Sequence, residues 1–187
     1  MTGPSVAARQ TPSPHDFRDV IGHFASGITV VSARHDGRLW GTTVSAVSSL
    51  SLEPPMLVVC MNRQSVTAQA ITFSRTFAVN ILSETQVATA ERFARKGGDK
   101  FADVPFSGDP DGPPLLDGSL AILECRVVQE VSGGTHSVFL SEVDRARACE
   151  GSPLAYFRGR MGRLDDELVG RAPGQEESAS TPGQVGA

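Results

Sequence analysis

Apolar residues along the chain fall mostly into short runs rich in β-branched side chains, a pattern typical of strands. The turn His35-Asp36-Gly37 separates two such runs and predicts a hairpin. The run MLVVCM is apolar at every position, so we expect a central strand that is covered on both faces. The predicted strands are residues 28–33, 39–47, 56–61, 76–82, 119–131 and 136–148.

Three short helices are predicted from start signals and from apolar residues at helical spacing. The first follows the capping residue Ser13, ends at Gly27, and has one apolar face. That face consists of Phe17, Val20, Ile21 and Phe24. A capping box of Ser83 and Gln86 opens the third helix. The second and third helices are residues 67–73 and 84–95.

Regular patterning is confined to residues 14–164, which we expect to form one domain. Residues 1–13 are small and polar and predict a flexible leader, whereas residues 165–187 predict a disordered acidic tail. The segment 101–118 is rich in proline and glycine and predicts a surface loop. Strands and helices do not alternate regularly, so we predict a mainly β fold, an antiparallel barrel of about six strands with short helices.

The net charge of −4 lies in the predicted tail, because five acidic residues and one arginine follow residue 164. The balanced body has no basic patch of the kind that nucleic acid or an anionic membrane requires. The longest apolar run has six residues, too few for a membrane span, and the N-terminus lacks a signal-peptide pattern. Cys60, Cys125 and Cys149 form no CxxC pair, so we expect free thiols and a cytoplasmic location; metal ligation is the weaker alternative.

Common catalytic motifs are missing from the sequence, which contains no GxGxxG, GxxxxGK[ST], GxSxG or HExxH. The four histidines and three cysteines lack metal-ligand spacing, so no metal site is predicted. The segment at residues 41–55 carries six hydroxyl side chains. Such a strand lets a flat ligand approach the backbone and offers donors to it, although a solvent-facing strand has the same composition.

A series of further motifs runs in one order through residues 15–164. In that order they resemble the short flavin reductase family, whose fold is a flavin-binding split β-barrel. The motifs are FR at 17–18, FASGITVV at 24–31, GTTVSA at 41–46, SLSLEPP at 49–55, FAVNIL at 77–82, RFA at 92–94, DKF at 99–101, LDGSLA at 116–121, LEC at 123–125, GTH at 134–136 and PLAY at 153–156.

This resemblance implies a reductase component of a two-component flavin-dependent monooxygenase. Such an enzyme passes a hydride from nicotinamide C4 of NADH or NADPH to flavin N5, the flavin being FMN, FAD or riboflavin. It further implies a homodimer and an oxygenase partner that receives the reduced flavin. The alternatives are a flavin-binding carrier or sensor without turnover, an oxidase of pyridoxine phosphate, and a small-ligand transport barrel.

The resemblance also implies which positions form the site. The ring lies along Gly41, Thr42, Thr43, Val44, Ser45 and Ala46, with Cys60, Met61 and Asn62 as a second wall. Ser65, Val66 and Thr67 lie near the ribityl phosphate, where a helix N-terminus suits an anion. Arg92, Phe93, Lys100 and Phe101 match positions near the outer part of the flavin. His136, the candidate catalytic residue, and Tyr156 match the nicotinamide side, although His136 alone is also typical of a solvated hairpin.

Overall fold

An antiparallel sheet of seven strands dominates the computed structural model, which describes residues 11–164. The strands are β1 (Ser26–Gly27), β2 (Thr29–His35), β3 (Arg38–Val44), β4 (Val47–Leu52), β5 (Pro55–Asn62), β6 (Thr76–Ile81), β7 (Phe106–Ser107), β8 (Leu115–Leu116), β9 (Ala121–Gly133), β10 (His136–Ala148), β11 (Leu154–Phe157) and β12 (Arg160–Arg163). The helices are α1 (Pro14–Ile21), α2 (Val66–Ser74) and α3 (Val87–Ala94). The predicted tail, and the predicted leader up to residue 10, lie outside the described residues.

The main sheet has the order β3-β2-β6-β9-β10-β5-β4, with β1-β11-β12 and β7-β8 as smaller sheets. Its two edge strands, β3 and β4, follow one another in the chain and are joined only by Ser45 and Ala46. The Ala46 carbonyl accepts a hydrogen bond of 3.0 Å from the Cys60 N–H beside this link. The mainly β antiparallel prediction is confirmed. The single strand predicted at 39–47 is wrong, because the chain crosses between the two edges there.

Burial on both faces is found in β2 and not in β5, where the sequence predicted it. In β2, Thr29 through Ala33 are all buried, with Val31 and Ala33 in one hydrophobic cluster and Val30 in a second. In β5 burial alternates, so Leu57, Val59 and Met61 face the barrel core and the residues between them are half-buried. The apolar run MLVVCM therefore correctly predicted a strand, which has β10 and β4 on its two sides, but the expected burial of both faces is wrong because the second face lines an open surface.

The helix starts agree with the sequence in part. Ser13 caps α1 as predicted, its hydroxyl accepting the Asp16 N–H at 3.1 Å, but α1 ends at Ile21 and not at Gly27. No residue within α1 is buried, so its apolar face is uncovered in the described chain. The helix α3 begins three residues later than predicted. Ser83 does donate its N–H to Gln86 Oε1, but Ser83 also forms a bridge with Pro153 and belongs to the sheet.

The proline-rich segment at 101–118 is not a surface loop throughout. Leu115 and Leu116 are buried and form β8, and Phe101 is also buried. The buried Asn80 side chain accepts the Leu116 N–H at 2.8 Å, and Ser32 Oγ donates to the Pro114 carbonyl at 2.6 Å. These two buried polar side chains fasten the segment to the barrel. Composition alone cannot show such partners, since they come from distant strands.

Candidate functional site

An open cavity of about 790 Å³ lies between the link of β3 to β4, the outer face of β5, the helix α1 and the β11–β12 hairpin. This volume falls within the roughly 300–1,000 Å³ of small-molecule sites. The cavity is lined by His15, Arg18, Asp19, Ile21, Gly22, Phe24, Ser26, Ser45, Ala46, Val47, Ser48, Val58, Cys60, Tyr156, Arg158 and Gly159. Four residues predicted from the sequence are among them, namely Ser45, Ala46, Cys60 and Tyr156.

The cavity floor is the outer face of β5. Val58 and Cys60 point to the same side of the strand because they are two residues apart, and Ser48 of β4 pairs with Val58. A floor of aliphatic and thiol groups suits a flat aromatic ring. The exposed hydroxyl of Ser45 and the Ser48 side chain add hydrogen-bonding groups at its border.

The same face continues beyond the cavity to Asn62 and His136. These two residues pair directly across β5 and β10, and Asn62 lies two residues beyond Cys60 on the same side. Both are exposed, and His136 Nδ1 lies 2.9 Å from the hydroxyl of Thr135. The register therefore brings Cys60, Asn62 and His136 onto one face, as their predicted roles require.

The helix α2 begins at the end of this face. Ser65 is its N-cap, but the Ser65 side chain forms no hydrogen bond with the N–H groups of the first turn. These N–H groups also have no acceptor within the helix. Val66 is 54 % exposed, whereas Thr67 is completely buried and its hydroxyl has no hydrogen-bond partner in the described part of the chain. The backbone of this turn offers donors and a positive helix end to an anion. The Thr67 side chain itself points to the core.

The strand β3, predicted to lie along the ring, is covered by protein on both faces. A Cβ added at Gly41 would lie 2.5 Å from Phe93 Cε1 and 3.1 Å from Phe101 Cζ. Thr43 Oγ1 donates to the Ala90 carbonyl of α3 at 2.6 Å, and Val44 is buried in the barrel cluster. Gly41 therefore makes room for an aromatic ring of the protein. Thr42, half-buried, faces the same side as Val44.

The aromatic pair Phe93 and Phe101 belongs to the second hydrophobic cluster. Their ring centroids lie 5.0 Å apart in an edge-to-face arrangement, and Phe93 is fully buried. Met61 is likewise buried, in the barrel cluster. The structure therefore places these three predicted residues in the core, outside the cavity lining.

The two predicted basic residues of this region are engaged with backbone. Lys100 Nζ donates to the carbonyls of Gly41 and Phe93 at 3.1 and 2.9 Å, and burial lowers the pKa of the ammonium. Arg92 Nη1 donates to the carbonyl of Ala102. Both side chains join α3 to its neighbouring segments, and neither lines the cavity.

Sequence reasoning missed the basic residues that do line the cavity. Arg18 lies on α1, and Arg158 lies in the β11–β12 turn, where its N–H donates to the Gly22 carbonyl at 3.0 Å. His15 is three residues before Arg18 on the same helix and lines the cavity too. The motif FR contained Arg18, but only the docking of the hairpin onto the end of α1 shows that the two arginines share one cavity.

Known proteins share both this fold and this sequence pattern. The sequence model of the family named flavin reductase like domain matches residues 21–165 of this chain. The chain belongs to this family. It is 51 % identical over 149 residues to the reductase component of 4-nitrophenol 4-monooxygenase/4-nitrocatechol 2-monooxygenase from Rhodococcus opacus, with 80 % of each chain covered. The predicted family, split-barrel fold and flavin reductase function are thereby confirmed.

Two solved structures extend the comparison. A homologue of nitrilotriacetate monooxygenase component B from Mycobacterium thermoresistibile has a TM-score of 0.80 and 31 % identity, covering 92 % of this chain and 97 % of that one. The NADH:FAD oxidoreductase SgcE6 of Streptomyces globisporus C-1027, in complex with NAD and FAD fragments, has a TM-score of 0.79 and 32 % identity. That match covers 86 % of this chain and all of the SgcE6 chain.

Residues 11–164 contain neither a candidate metal cluster nor a helix that could span a membrane. Within that range no three histidine, cysteine or acidic side chains are grouped so that they could hold a metal ion. None of the helices in the same range is long and apolar enough to cross a membrane.

Proposed function

We propose that the chain oxidises NADH or NADPH, reduces a flavin in the cavity described above, and releases the reduced flavin to a flavin-dependent monooxygenase. The observation that carries this proposal is the cavity itself. Its apolar floor of Val58 and Cys60 meets the hydroxyl border of Ser45 and Ser48, in a chain that belongs to the flavin reductase like family. The size, the floor and the donor set fit an isoalloxazine ring.

Hydride transfer between a nicotinamide and a flavin needs little chemical participation from protein side chains. When both substrates are bound, a hydride passes from nicotinamide C4 to flavin N5, and water supplies the proton that completes flavin reduction. The chain supplies a flat floor, hydrogen-bonding groups at the ring border and walls that orient the two rings. This agrees with a cavity that contains no paired carboxylates and no nucleophile–base pair among its lining residues.

The face from Cys60 to α2 supports an orientation for the flavin. With the ring on Val58 and Cys60, the ribityl chain runs along Asn62 to the first turn of α2. There the N–H groups after Ser65, at Val66 and Thr67, meet the phosphate. His136, beside Asn62, and Tyr156, which lines the cavity, border the space left for the nicotinamide.

The remaining residues of the implied site support it from behind. Gly41 through Val44 carry the link at Ser45 and Ala46, and Phe93, Phe101 and Met61 pack beneath them or beneath the floor. Lys100 and Arg92 hold the segments around Phe93 together. We assign these residues to the stability of the cavity wall and not to direct contact with the flavin.

A homodimer is part of this proposal. Phe17 and Val20 of α1 are 59 % and 71 % exposed, and they adjoin cavity residues of the same helix. An apolar helix face of this kind requires a cover, and a second copy placed there would put the flavin site near the subunit interface. Sedimentation velocity of the purified chain tests this; a monomer at micromolar concentration would contradict it.

The location and the transfer of product complete the proposal. Cys60, Cys125 and Cys149 are free thiols, and a nicotinamide reductant is a cellular metabolite, both of which favour the cytoplasm. Reduced flavin must leave to reach an oxygenase. A cavity that binds through hydroxyls and backbone groups, and that opens to solvent, suits such release.

The deciding experiment is an absorbance assay of NADH and NADPH oxidation with FMN, FAD and riboflavin. We expect flavin-dependent loss of the nicotinamide band under anaerobic conditions, with one equivalent of flavin bleached per nicotinamide oxidised. If flavin quenches or shifts on binding but neither nucleotide is oxidised, the chain is a carrier or sensor and the proposal is wrong. Absence of both binding and turnover would exclude a flavin site altogether.

A further inference from the structure

The β11–β12 turn places an arginine where folding favours other residues. Arg158 and Gly159 are the two loop residues between the paired Phe157 and Arg160, and both have positive φ, 48° and 77°. Two-residue hairpins of this geometry favour asparagine or aspartate before glycine, because a larger L residue is strained at positive φ. An arginine at this position needs a reason other than the turn.

A second turn in the same protein shows the choice that folding alone makes. The β2–β3 hairpin has the loop Asp36-Gly37 between the paired His35 and Arg38, with φ values of 50° and 70°. The backbone is nearly the same, yet that loop has the favoured Asp-Gly sequence and does not line this cavity. The comparison shows that the backbone of such a turn does not require an arginine. The Arg158 side chain therefore needs a different explanation.

The side chain of Arg158 lies at the cavity beside the end of α1. Its Nη2 is 3.9 Å from Asp19 Oδ1, and both groups are more than half exposed, so this ion pair is weak. Arg18, on the same helix, lines the same cavity and has no carboxylate within ion-pair distance in the described part of the chain. The charges facing the cavity are thus two guanidinium groups against one carboxylate.

We propose that Arg18 and Arg158 hold the diphosphate of a dinucleotide substrate in the cavity. This inference rests on the proposed flavin reductase function, which places the flavin ring on β5 and the flavin's own phosphate at α2. Guanidinium groups present several N–H donors to phosphate oxygens, and two of them match the two charges of a diphosphate. The diphosphate belongs either to NADH, or to FAD bound with its phosphates at the two arginines and not at α2, since both molecules contain an adenosine diphosphate unit.

The test uses Arg158→Asn, which improves the fit of the residue to the turn. The variant should therefore unfold at the same or a higher temperature, so a change in binding cannot come from misfolding. Calorimetric titration with ADP-ribose, which carries the diphosphate but neither redox ring, should show at least tenfold weaker binding. Arg18→Gln should have a similar effect. Arg160→Asn is the matched control, because Arg160 follows the turn but does not line the cavity.

Steady-state kinetics then distinguish the two sources of the diphosphate. If NADH supplies it, Arg158→Asn raises the KM for NADH at least tenfold with riboflavin as acceptor, while kcat changes less than twofold. If FAD supplies it, the KM for FAD rises and those for FMN and riboflavin do not. Unchanged ADP-ribose affinity together with unchanged KM values for NADH and FAD would overturn the inference. An inactive wild-type chain would instead overturn the proposed function.

Discussion

One hydroxyl-rich stretch, residues 41–55, contributes to two regions with opposite surroundings. One region borders the open cavity, and the other is the side of β3 that packs against α3. At Ser45 and Ser48 the stretch meets the cavity, whose floor is Val58 and Cys60. At Gly41 and Thr43 the same stretch packs against α3, with no room for a further atom at Gly41. Residue type does not separate the two regions, since each contains small and hydroxyl side chains.

The difference comes from strand direction and from what lies behind each face. Up to Val44 the chain belongs to β3, whose two faces meet the two hydrophobic clusters. After Val44 it leaves the sheet edge for two residues, Ser45 and Ala46, before β4 begins. From this link to Ser48, the chain lines the cavity beside α1 and the β11–β12 hairpin. Hydroxyl content thus identifies the right stretch, while the chain crossing determines which part of it can touch a ligand.

Truncation of the packed side should give the largest effect, and on stability only. We expect Phe93→Ala to lower the free energy of unfolding by about 3–5 kcal/mol, because the ring is fully buried against Gly41 and Phe101. The KM for flavin of the folded enzyme should change less than twofold. Denaturant unfolding and the NADH assay measure the two quantities.

An exposed phenylalanine provides the control for this variant. Phe73 on α2 is 69 % exposed and stacks on His35 at a centroid distance of 5.4 Å, so Phe73→Ala should cost about 0.5 kcal/mol or less. If Phe93→Ala instead leaves stability intact and raises the KM for flavin tenfold, Phe93 touches the flavin and the distinction between the two regions fails.

The cavity side should respond in the opposite way, through ligand protection and not stability. Saturating FMN should slow alkylation of Cys60 by iodoacetamide at least tenfold, because Cys60 lines the cavity floor and the ring covers it. Peptide mass spectrometry at several reaction times measures each cysteine separately. Equal rates for Cys60 with and without FMN would place the ring elsewhere.

The other two cysteines are internal controls for that experiment. Cys149 is exposed and should react at the same rate with or without FMN. Cys125 is buried between β6 and β10, and burial, reinforced by the charges of Asp144 and Glu124, raises the pKa of its thiol to about 12. Since the thiolate is the reactive form, Cys125 should not react at pH 8 in the folded protein and should react after unfolding.

Several parts of the fold and the site could be predicted because they depend on local sequence. The β-branched runs predicted the main strands, and Ser13 predicted the start of α1. The resemblance placed Ser45, Ala46 and Cys60, which do line the cavity. For the strands and the start of α1, neighbours along the chain determine the conformation, whereas the three cavity residues were placed by the resemblance and not by local sequence.

The remaining parts depend on contacts between distant segments. The roles of Gly41 and Phe93 follow from the docking of α3 onto β3, and the role of Arg158 follows from the bond of its N–H to the Gly22 carbonyl. Similarly, the apolar outer face of β5 predicted a central strand because a cavity floor and a buried strand have the same composition. Periodicity within one segment has no information about which other segment covers it.

The smallest effect should come from the far end of the cavity face, at the start of α2. Val66→Glu puts a carboxylate in the first turn, where the helix dipole stabilises it, so the fold should be as stable as before. The same charge repels a phosphate bound at the first N–H groups, and we expect the KM for FMN to rise about three- to tenfold, equivalent to about 0.7–1.4 kcal/mol. Riboflavin, without a phosphate, should be unaffected, and Val66→Gln separates charge from size.

The substitution Thr67→Glu is unsuitable because Thr67 is completely buried and its replacement would disturb the core. Equal FMN KM values for Val66→Glu and Val66→Gln would limit the binding face to the cavity and place the flavin phosphate beside Arg18 and Arg158 instead.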